Sequence, residues 1–170
     1  MSASLNETWD SRSNCFGCSE TNDIGLKLSF DDHATHVSTP LLLGRAYESY
    51  PGIVHGGIVS TVLDECMGRA IMVFTGKMAV TMGLRVRFIG ICESDRPYQA
   101  SGHILSTVGN IIKAEARIVT ADGHLIAIGE ASWMVIEAAD ALSGKSKVPP
   151  RTLGYIKQEL DKNGACCERT

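Results

Sequence analysis

The middle of the chain carries its longest helical pattern of apolar residues. Between Gly57 and about Phe74 these residues recur at i, i+3, i+4 and i+7, which predicts a helix with a wide apolar face. Thr-Gly-Lys at 75–77 ends the pattern. The helix is too apolar to lie exposed, so it must pack against other elements. Its apolar positions are Ile58, Val59, Val62, Leu63, Cys66, Met67, Ala70 and Ile71.

Strand-like runs lie on both sides of this helix. Upstream, the alternating segment LKLSF at 26–30 and the segment 35–43 predict two strands joined by a turn at 31–33. The short connections at 108–110 and 121–123 are typical of antiparallel hairpins. The order β-β-α-β-β-β-β predicts an α+β fold in which one long helix covers an antiparallel sheet. The four downstream strands are predicted at 78–90, 97–108, 111–120 and 124–137.

The chain of 170 residues has the length of one domain with a sizeable core. We expect residues 1–14 to form a flexible N-terminal arm and residues 15–137 to form the domain. Residues 138–170 are predicted to contain a linker followed by a short C-terminal helix, because Leu153, Ile156 and Leu160 have helical spacing. Internal repeats are absent from the sequence.

Charge and hydropathy exclude several classes of protein. The formal net charge of −3 provides no basic field for a nucleic acid. No apolar run approaches the ~18 residues needed to cross a bilayer, and the polar N-terminus lacks a signal-peptide pattern. The six cysteines are scattered, which is not typical of a disulfide framework. We therefore expect a cytoplasmic protein that binds neither nucleic acid nor membrane.

The segment PGIVHGGIVSTVLDECMG at 51–68 combines features of a reactive site. His55, Gly56 and Gly57 precede the helix, where the first amide N–H groups lack intrahelical partners and the helix dipole is positive. Glycines leave these N–H groups open to a ligand oxygen, so they could stabilise negative charge that develops on a carbonyl oxygen. His55 taken alone is also typical of a loop histidine with an ordinary hydrogen bond.

Asp64 interrupts the apolar helix about two turns further on. It shares a face with Thr61 and Gly68, away from the main apolar stripe, and Gly68 leaves room beside it. An unpaired buried aspartate costs several kcal/mol, so Asp64 needs a partner, water or a catalytic role. The neighbouring Glu65 has a simpler interpretation, because Arg69 follows at i+4 and predicts an exposed ion pair worth roughly 0.3–0.5 kcal/mol.

The same segment resembles the active-site segment of the hotdog-fold acyl-CoA thioesterases, in the phenylacetate-pathway (PaaI-type) branch. The resemblance rests on His-Gly-Gly at 55–57 followed by an acid nine positions after the histidine. CFGCSETNDIGLKLSF at 15–30 and AVTMGLRVRFI at 79–89 are also similar to segments of this family. The likeness covers roughly residues 15–137. Ser49 departs from the polar amide that some relatives carry at this position.

The resemblance implies a sheet wrapped around the central helix and a homodimer, or a tetramer of two dimers, formed through joined sheets. The active site would lie at the dimer interface and would hydrolyse an acyl-CoA. Asp64 would act as general base or nucleophile, the Gly56 N–H as oxyanion donor and His55 as an orienting residue. Thr81 would help place the water from the strand of the partner subunit. We add Gly57, Thr61, Gly68, Arg85 and Arg87 as candidate substrate contacts, with the two arginines facing coenzyme A phosphates.

Other candidate sites and functions are weaker. Cys15 and Cys18 form a C-x-x-C motif, but the downstream His33 and His36 are spaced by two residues rather than the three to five usual in zinc sites. We therefore expect no metal ion and no cofactor. A non-catalytic acyl-CoA sensor and an acyl-thioester hydratase or dehydratase on the same fold stay open as alternative functions.

Overall fold

The computed structural model of the protein describes residues 14–136. One long helix, α1, follows a short 3₁₀ turn at Arg45–Tyr47 and precedes the four longest strands. None of the helices in this part of the chain is long and apolar enough to cross a membrane. The elements are β1 (Asp31–Asp32), β2 (Val37–Leu42), β3 (Glu48–Tyr50), β4 (Ile53–Val54), α1 (Gly56–Thr75), β5 (Ala79–Phe88), β6 (Pro97–Val108), β7 (Ile111–Thr120) and β8 (Leu125–Val135).

The main sheet has six strands in the order β1-β2-β6-β7-β8-β5, and every pair is antiparallel. A separate two-stranded hairpin, β3-β4, lies just before the helix. Alternate residues of the central strands β6 and β7 are buried against α1, whereas β5 forms one edge of the sheet and is exposed along most of its length. A single long helix against a large antiparallel sheet confirms the predicted fold class.

Helix α1 supplies much of the core. The apolar stripe predicted from the sequence is buried, and Val62, Leu63 and Met67 have no exposed surface. Burial of a side chain of this size stabilises the fold by roughly 1.5–3 kcal/mol. The helix ends at Gly76, whose φ of 64° is the left-handed conformation common at helix C-termini. The predicted helix of 57–74 is therefore confirmed to within one residue at each end.

The predicted strand at 26–30 is wrong. Lys27 has a φ of 54°, a left-handed conformation that interrupts an extended strand. The backbone N–H groups of Leu26 and Leu28 donate to the carbonyls of Phe16 and Gly17 instead of to a neighbouring strand. The residues predicted to turn, Asp31 and Asp32, form the short strand β1, which pairs with β2. The alternation of LKLSF therefore reflects the burial of Leu26, Leu28 and Phe30 against the core, not pairing within a sheet.

Several sequence-based predictions fall outside the described residues. They are the N-terminal arm predicted at 1–14, of which only residue 14 is described, and the linker and C-terminal helix predicted at 138–170.

Candidate active site

The N-terminus of α1 is closed by a histidine cap that leaves one amide available. His55 is the N-cap residue, and its Nδ1 accepts the Gly57 N–H at 2.9 Å. The Gly57 N–H is therefore already hydrogen-bonded within the chain. Gly56 precedes it as the first helical residue, and no acceptor among residues 14–136 receives the Gly56 N–H. Of the two glycine amides considered from the sequence, the Gly56 N–H is the one left for a ligand.

Asp64 has a hydroxyl partner on the neighbouring edge strand. The Thr81 Oγ1 donates to Asp64 Oδ1 at 2.9 Å. Thr81 lies on β5 of the same chain, so this hydrogen bond forms within one chain, whereas the resemblance implied that Thr81 acts from the strand of the partner subunit. Partial burial raises the pKa of Asp64, and the Thr81 hydrogen bond opposes that rise. A half-buried carboxylate with one fixed partner has a second oxygen free for water or substrate.

Asp64 lies on the wall of a cavity of about 430 Å³ between α1, the N-terminal segment and the sheet. Gly68, one turn after Asp64, also lines it. A Cβ at Gly68 would lie 3.1 Å from Cη2 of Trp133, so this glycine allows the indole to pack directly against the helix. The apolar part of the wall consists of Leu28, Phe30, Met72, Met78, Ala79 and Trp133. The cavity therefore places the Asp64 carboxylate beside an apolar wall.

Glu65 does not form the predicted exposed pair with Arg69. Its carboxylate is partly buried on the same cavity wall, where both oxygens lie 3.5 Å from Cys15 Sγ. Burial and the nearby Cys15 raise the pKa of Glu65 to about 7. Arg69 instead forms a two-point ion pair with Asp32, at 3.2 Å from Nε and 2.9 Å from the terminal nitrogen. The i, i+4 prediction is wrong because a carboxylate from β1 reaches Arg69.

The C-x-x-C turn lies directly beside Glu65. The Cys15 and Cys18 sulfurs and a Glu65 carboxylate oxygen all lie within 4.8 Å of one another. The adjacent Cys18 thiol lowers the pKa of Cys15 to about 5. No local pattern in the sequence indicates this cluster, because Glu65 is fifty positions from Cys15 and meets it only through the tertiary fold.

The histidines considered with this motif lie elsewhere. His33 and His36 stack on each other with ring centroids 4.3 Å apart, and His33 Nε2 is 2.9 Å from the Ser38 hydroxyl. They do not join the two cysteines in a common cluster within residues 14–136.

The remaining predicted contacts are dispersed. The Thr61 hydroxyl donates to the Gly57 carbonyl at 2.9 Å. Thr61 therefore lies at the start of the helix and does not line the cavity. Arg85 and Arg87 are exposed on β5, and neither lines the cavity of Asp64. Arg85 instead borders a shallow surface groove with Lys113 and Glu130. The structure thus brings together Asp64, Thr81 and Gly68, and leaves the helix start and the arginines apart from them.

Residues 51–127, which extend from the loop before α1 into β8, match the family model of the thioesterase superfamily. A crystal structure of a thioesterase superfamily protein aligns with a TM-score of 0.61 at 25% identity, over 65% of this chain. The chain has the hotdog fold of these thioesterase superfamily structures. The alignment with this crystal structure covers 57% of the related protein, less than two thirds of its length.

Two further solved structures of this hotdog fold contain coenzyme A. A Bacillus halodurans protein with CoA has 23% identity and a TM-score of 0.58, with 66% of this chain and 76% of that chain covered. A hypothetical thioesterase protein with coenzyme A from Streptococcus pneumoniae has 16% identity and a TM-score of 0.59, with 64% and 87% covered. No curated protein matches the sequence at a significant level.

Proposed function

We propose that this hotdog protein hydrolyses acyl-CoA thioesters to free carboxylic acids and coenzyme A, as a PaaI-type thioesterase. The observation that carries this proposal is the half-buried Asp64 carboxylate, which accepts a hydrogen bond from Thr81 and lies on the wall of a cavity that has an apolar side. The match of residues 51–127 to the thioesterase superfamily model and the coenzyme A in two structures of the same fold support this substrate class.

The proposed reaction needs a base, a water molecule and an oxyanion donor. Asp64 takes a proton from water as its oxygen attacks the thioester carbonyl carbon. An amide N–H at a helix start stabilises the negative charge on the carbonyl oxygen. Collapse of the tetrahedral intermediate breaks the C–S bond, and the coenzyme A thiolate receives the proton held by Asp64. Direct attack by Asp64, through a mixed anhydride that water then hydrolyses, uses the same residues.

Within one chain the base and the oxyanion donor are too far apart to act on one carbonyl. Gly56 and Asp64 are eight residues apart on α1, which is about 12 Å along the helix axis. A donor must lie about 3 Å from the carbonyl oxygen, and the base must reach a water next to the same carbonyl carbon. We therefore propose that each site combines Asp64 and Thr81 of one protomer with the helix start of a second protomer.

The edge strand β5 is the surface that fits this pairing. Among residues 14–136 its backbone pairs with β8 on one side only, so its other side offers hydrogen-bonding groups to a second strand. Contiguous apolar side chains on and after it are exposed, which is typical of an interface rather than of a monomer surface. We propose a homodimer through β5, with a tetramer of two dimers as a further possibility. The exposed apolar residues are Val80, Met82, Leu84, Phe88, Ile89 and Ile91.

The two ends of the substrate fit different surfaces. The apolar wall that includes Phe30, Met72 and Trp133 suits the acyl group, which would lie beside Asp64. Arg85 and Arg87 stay proposed contacts for the phosphates of coenzyme A. They are exposed on the same face of β5, the strand that the second protomer would approach.

The test is a screen of short, long and aromatic acyl-CoAs in which release of the coenzyme A thiol is followed. For the best substrate, Asp64→Asn should lower kcat by about 10²-fold or more, the scale of a lost general base. Asp122→Asn is the matched control, because Asp122 lies in the exposed β7–β8 turn, pairs with the exposed His124 and does not line the cavity of Asp64. Equal activities of the Asp64 variant and wild type, with both folded, would refute the assignment.

Assembly is tested separately by sedimentation velocity. A dimer or tetramer is expected, and Leu84→Lys on β5 should shift it toward monomer with loss of hydrolysis, since each site would lose the partner's helix start. A stable and active 18.3 kDa monomer would show that one chain is sufficient.

A further inference from the structure

We propose that Cys15, Cys18 and Glu65 form a zinc-binding site that fastens the N-terminal turn to helix α1 at the wall of the cavity. All three residues line the cavity that Asp64 also borders. The inference concerns a metal site and is independent of the proposed hydrolysis.

The spacing of the three groups matches tetrahedral zinc coordination. With zinc–sulfur and zinc–oxygen bonds of about 2.3 and 2.1 Å, a tetrahedral angle places sulfur and oxygen about 3.6 Å apart and two sulfurs about 3.8 Å apart. The Cys15 sulfur lies 3.5 Å from each Glu65 oxygen. All three ligand atoms lie within 4.8 Å of one another. A zinc ion therefore fits between them with small side-chain rotations.

The turn that carries the two sulfurs is built for close approach to Glu65. A Cβ at Gly17 would meet the Glu65 carboxyl group, so the glycine lets the turn lie close to this carboxylate without moving it. The Gly17 N–H also donates to the Cys15 sulfur at 3.3 Å. A backbone donor to a ligating sulfur fixes its position and supports its negative charge. The Gly17 carbonyl accepts the Leu28 N–H at 2.9 Å, which holds the turn from its other side.

The charges of the cluster call for a cation. Glu65 is partly buried beside two thiols, and no basic side chain among residues 14–136 forms an ion pair with it. Arg69, the neighbour one turn away, pairs with Asp32. A partly buried carboxylate without a cationic partner is costly, and the cost falls when a metal ion binds it.

The donor set favours zinc over harder divalent cations. Two thiolates and one carboxylate are ligands that zinc accepts, whereas magnesium and calcium prefer sites made of oxygen ligands. Three protein ligands leave a fourth position, which water from the adjoining cavity can fill. Zinc would thus join residues that are distant in the sequence and would set one wall of the cavity.

The experiment uses the full-length protein, purified under reducing conditions, loaded with zinc sulfate and freed of excess metal. Elemental analysis should find about one zinc per chain in wild type. Cys15→Ser and Cys18→Ser should lose it, and Glu65→Gln should bind at least tenfold more weakly. Cys92→Ser is the matched control, because Cys92 is a buried free thiol outside the cluster. A Cys166→Ser/Cys167→Ser variant should also keep its zinc, which excludes the two C-terminal thiols as its source.

Cobalt(II) gives a second readout that does not depend on activity. The loaded wild type should show thiolate-to-cobalt charge-transfer absorption and intense visible bands of a tetrahedral ion, and both should disappear in Cys15→Ser. Circular dichroism verifies that each variant is folded. If a cysteine variant fails to fold, Glu65→Gln, which keeps both sulfurs, tests the site through its weaker zinc binding. The proposal would be overturned if the reduced wild type did not retain zinc, or if folded Cys15→Ser and Cys18→Ser retained as much zinc as wild type.

Discussion

Gly102 provides a direct test of how closely α1 must lie on the sheet. It is on β6 beneath the helix, where a Cβ would lie 2.5 Å from the Cys66 carbonyl oxygen, against 3.4 Å for an ordinary contact. Gly102→Ala must therefore move the helix by about 0.9 Å, since the obstacle is backbone and cannot rotate away. Overpacking of this kind costs roughly 1–3 kcal/mol, and we expect the upper end of that range.

The displacement should also affect the site. Cys66 is two residues after Asp64, so the shift acts on the 2.9 Å hydrogen bond to Thr81. A misplacement of about 1 Å can cost about 10²-fold in rate. We expect the melting temperature of Gly102→Ala to fall by roughly 10 °C. The rate of coenzyme A thiol release by Gly102→Ala, measured well below its melting temperature, should also be lower than that of wild type.

Gly44→Ala is the control for the general effect of replacing glycine. Gly44 has an ordinary φ of −82°, and its added Cβ would meet Asp95 Oδ1 at 3.5 Å, an ordinary contact. The free energy of unfolding of Gly44→Ala should stay within about 0.5 kcal/mol of wild type or rise slightly, because alanine reduces the entropy of the unfolded chain. If thermal and urea unfolding place Gly102→Ala within the same range, the close helix–sheet contact does not limit stability.

Three smaller changes address the site, each measured by steady-state thiol release and thermal unfolding. Thr81→Val removes the donor to Asp64 and should lower kcat about tenfold, the rate equivalent of a hydrogen bond to a charged group worth ~1.4 kcal/mol, whereas Thr81→Ser should keep most activity. His55→Ala removes the helix cap and should cost about 1 kcal/mol of stability, most of which His55→Asn should restore. Gly56→Ala should fold normally, since its Cβ meets Phe88 at 3.4 Å, but it should lower kcat more than it raises KM.

Three outcomes would contradict these roles of Thr81, His55 and Gly56. Equal kcat for Thr81→Val and wild type would remove Thr81 from the site. A His55→Asn variant as unstable as His55→Ala would mean that the histidine acts by packing and not as a cap. Full kcat in a folded Gly56→Ala variant would place the oxyanion donor elsewhere.

The fold could be predicted because its elements carry strong periodic signals. Helix α1 and the strands β6 and β7 have bounds within one residue of those predicted, since their patterns of buried residues are long and regular. The segment 26–30 has an equally regular alternation but is not a strand. Its periodicity reports which side chains are buried, whereas the positive φ of Lys27 determines that the backbone bonds to the Cys15–Cys18 turn.

The site was predictable only where it depends on helix geometry. The pairing of Asp64 with Gly68 on one face follows from their spacing of four residues. The contact from Thr81 depends on how β5 lies beside the helix, and no spacing rule contains that information. The resemblance supplied Thr81 as a candidate from the partner strand, and the structure shows a contact between Thr81 and Asp64 within one chain.

Glu65 shows most clearly how tertiary contacts override a local rule. An exposed i, i+4 pair contributes only about 0.3–0.5 kcal/mol, so a better partner readily displaces it. Asp32 is such a partner, because it meets the planar Arg69 guanidinium at two points while the guanidinium also lies 5.9 Å from the Phe30 ring centroid. With Arg69 held there, the Glu65 carboxylate turns to the Cys15–Cys18 turn. The same residue pattern that predicts a minor surface ion pair thus leaves a partly buried acid beside two sulfurs, and the zinc site is proposed for this cluster.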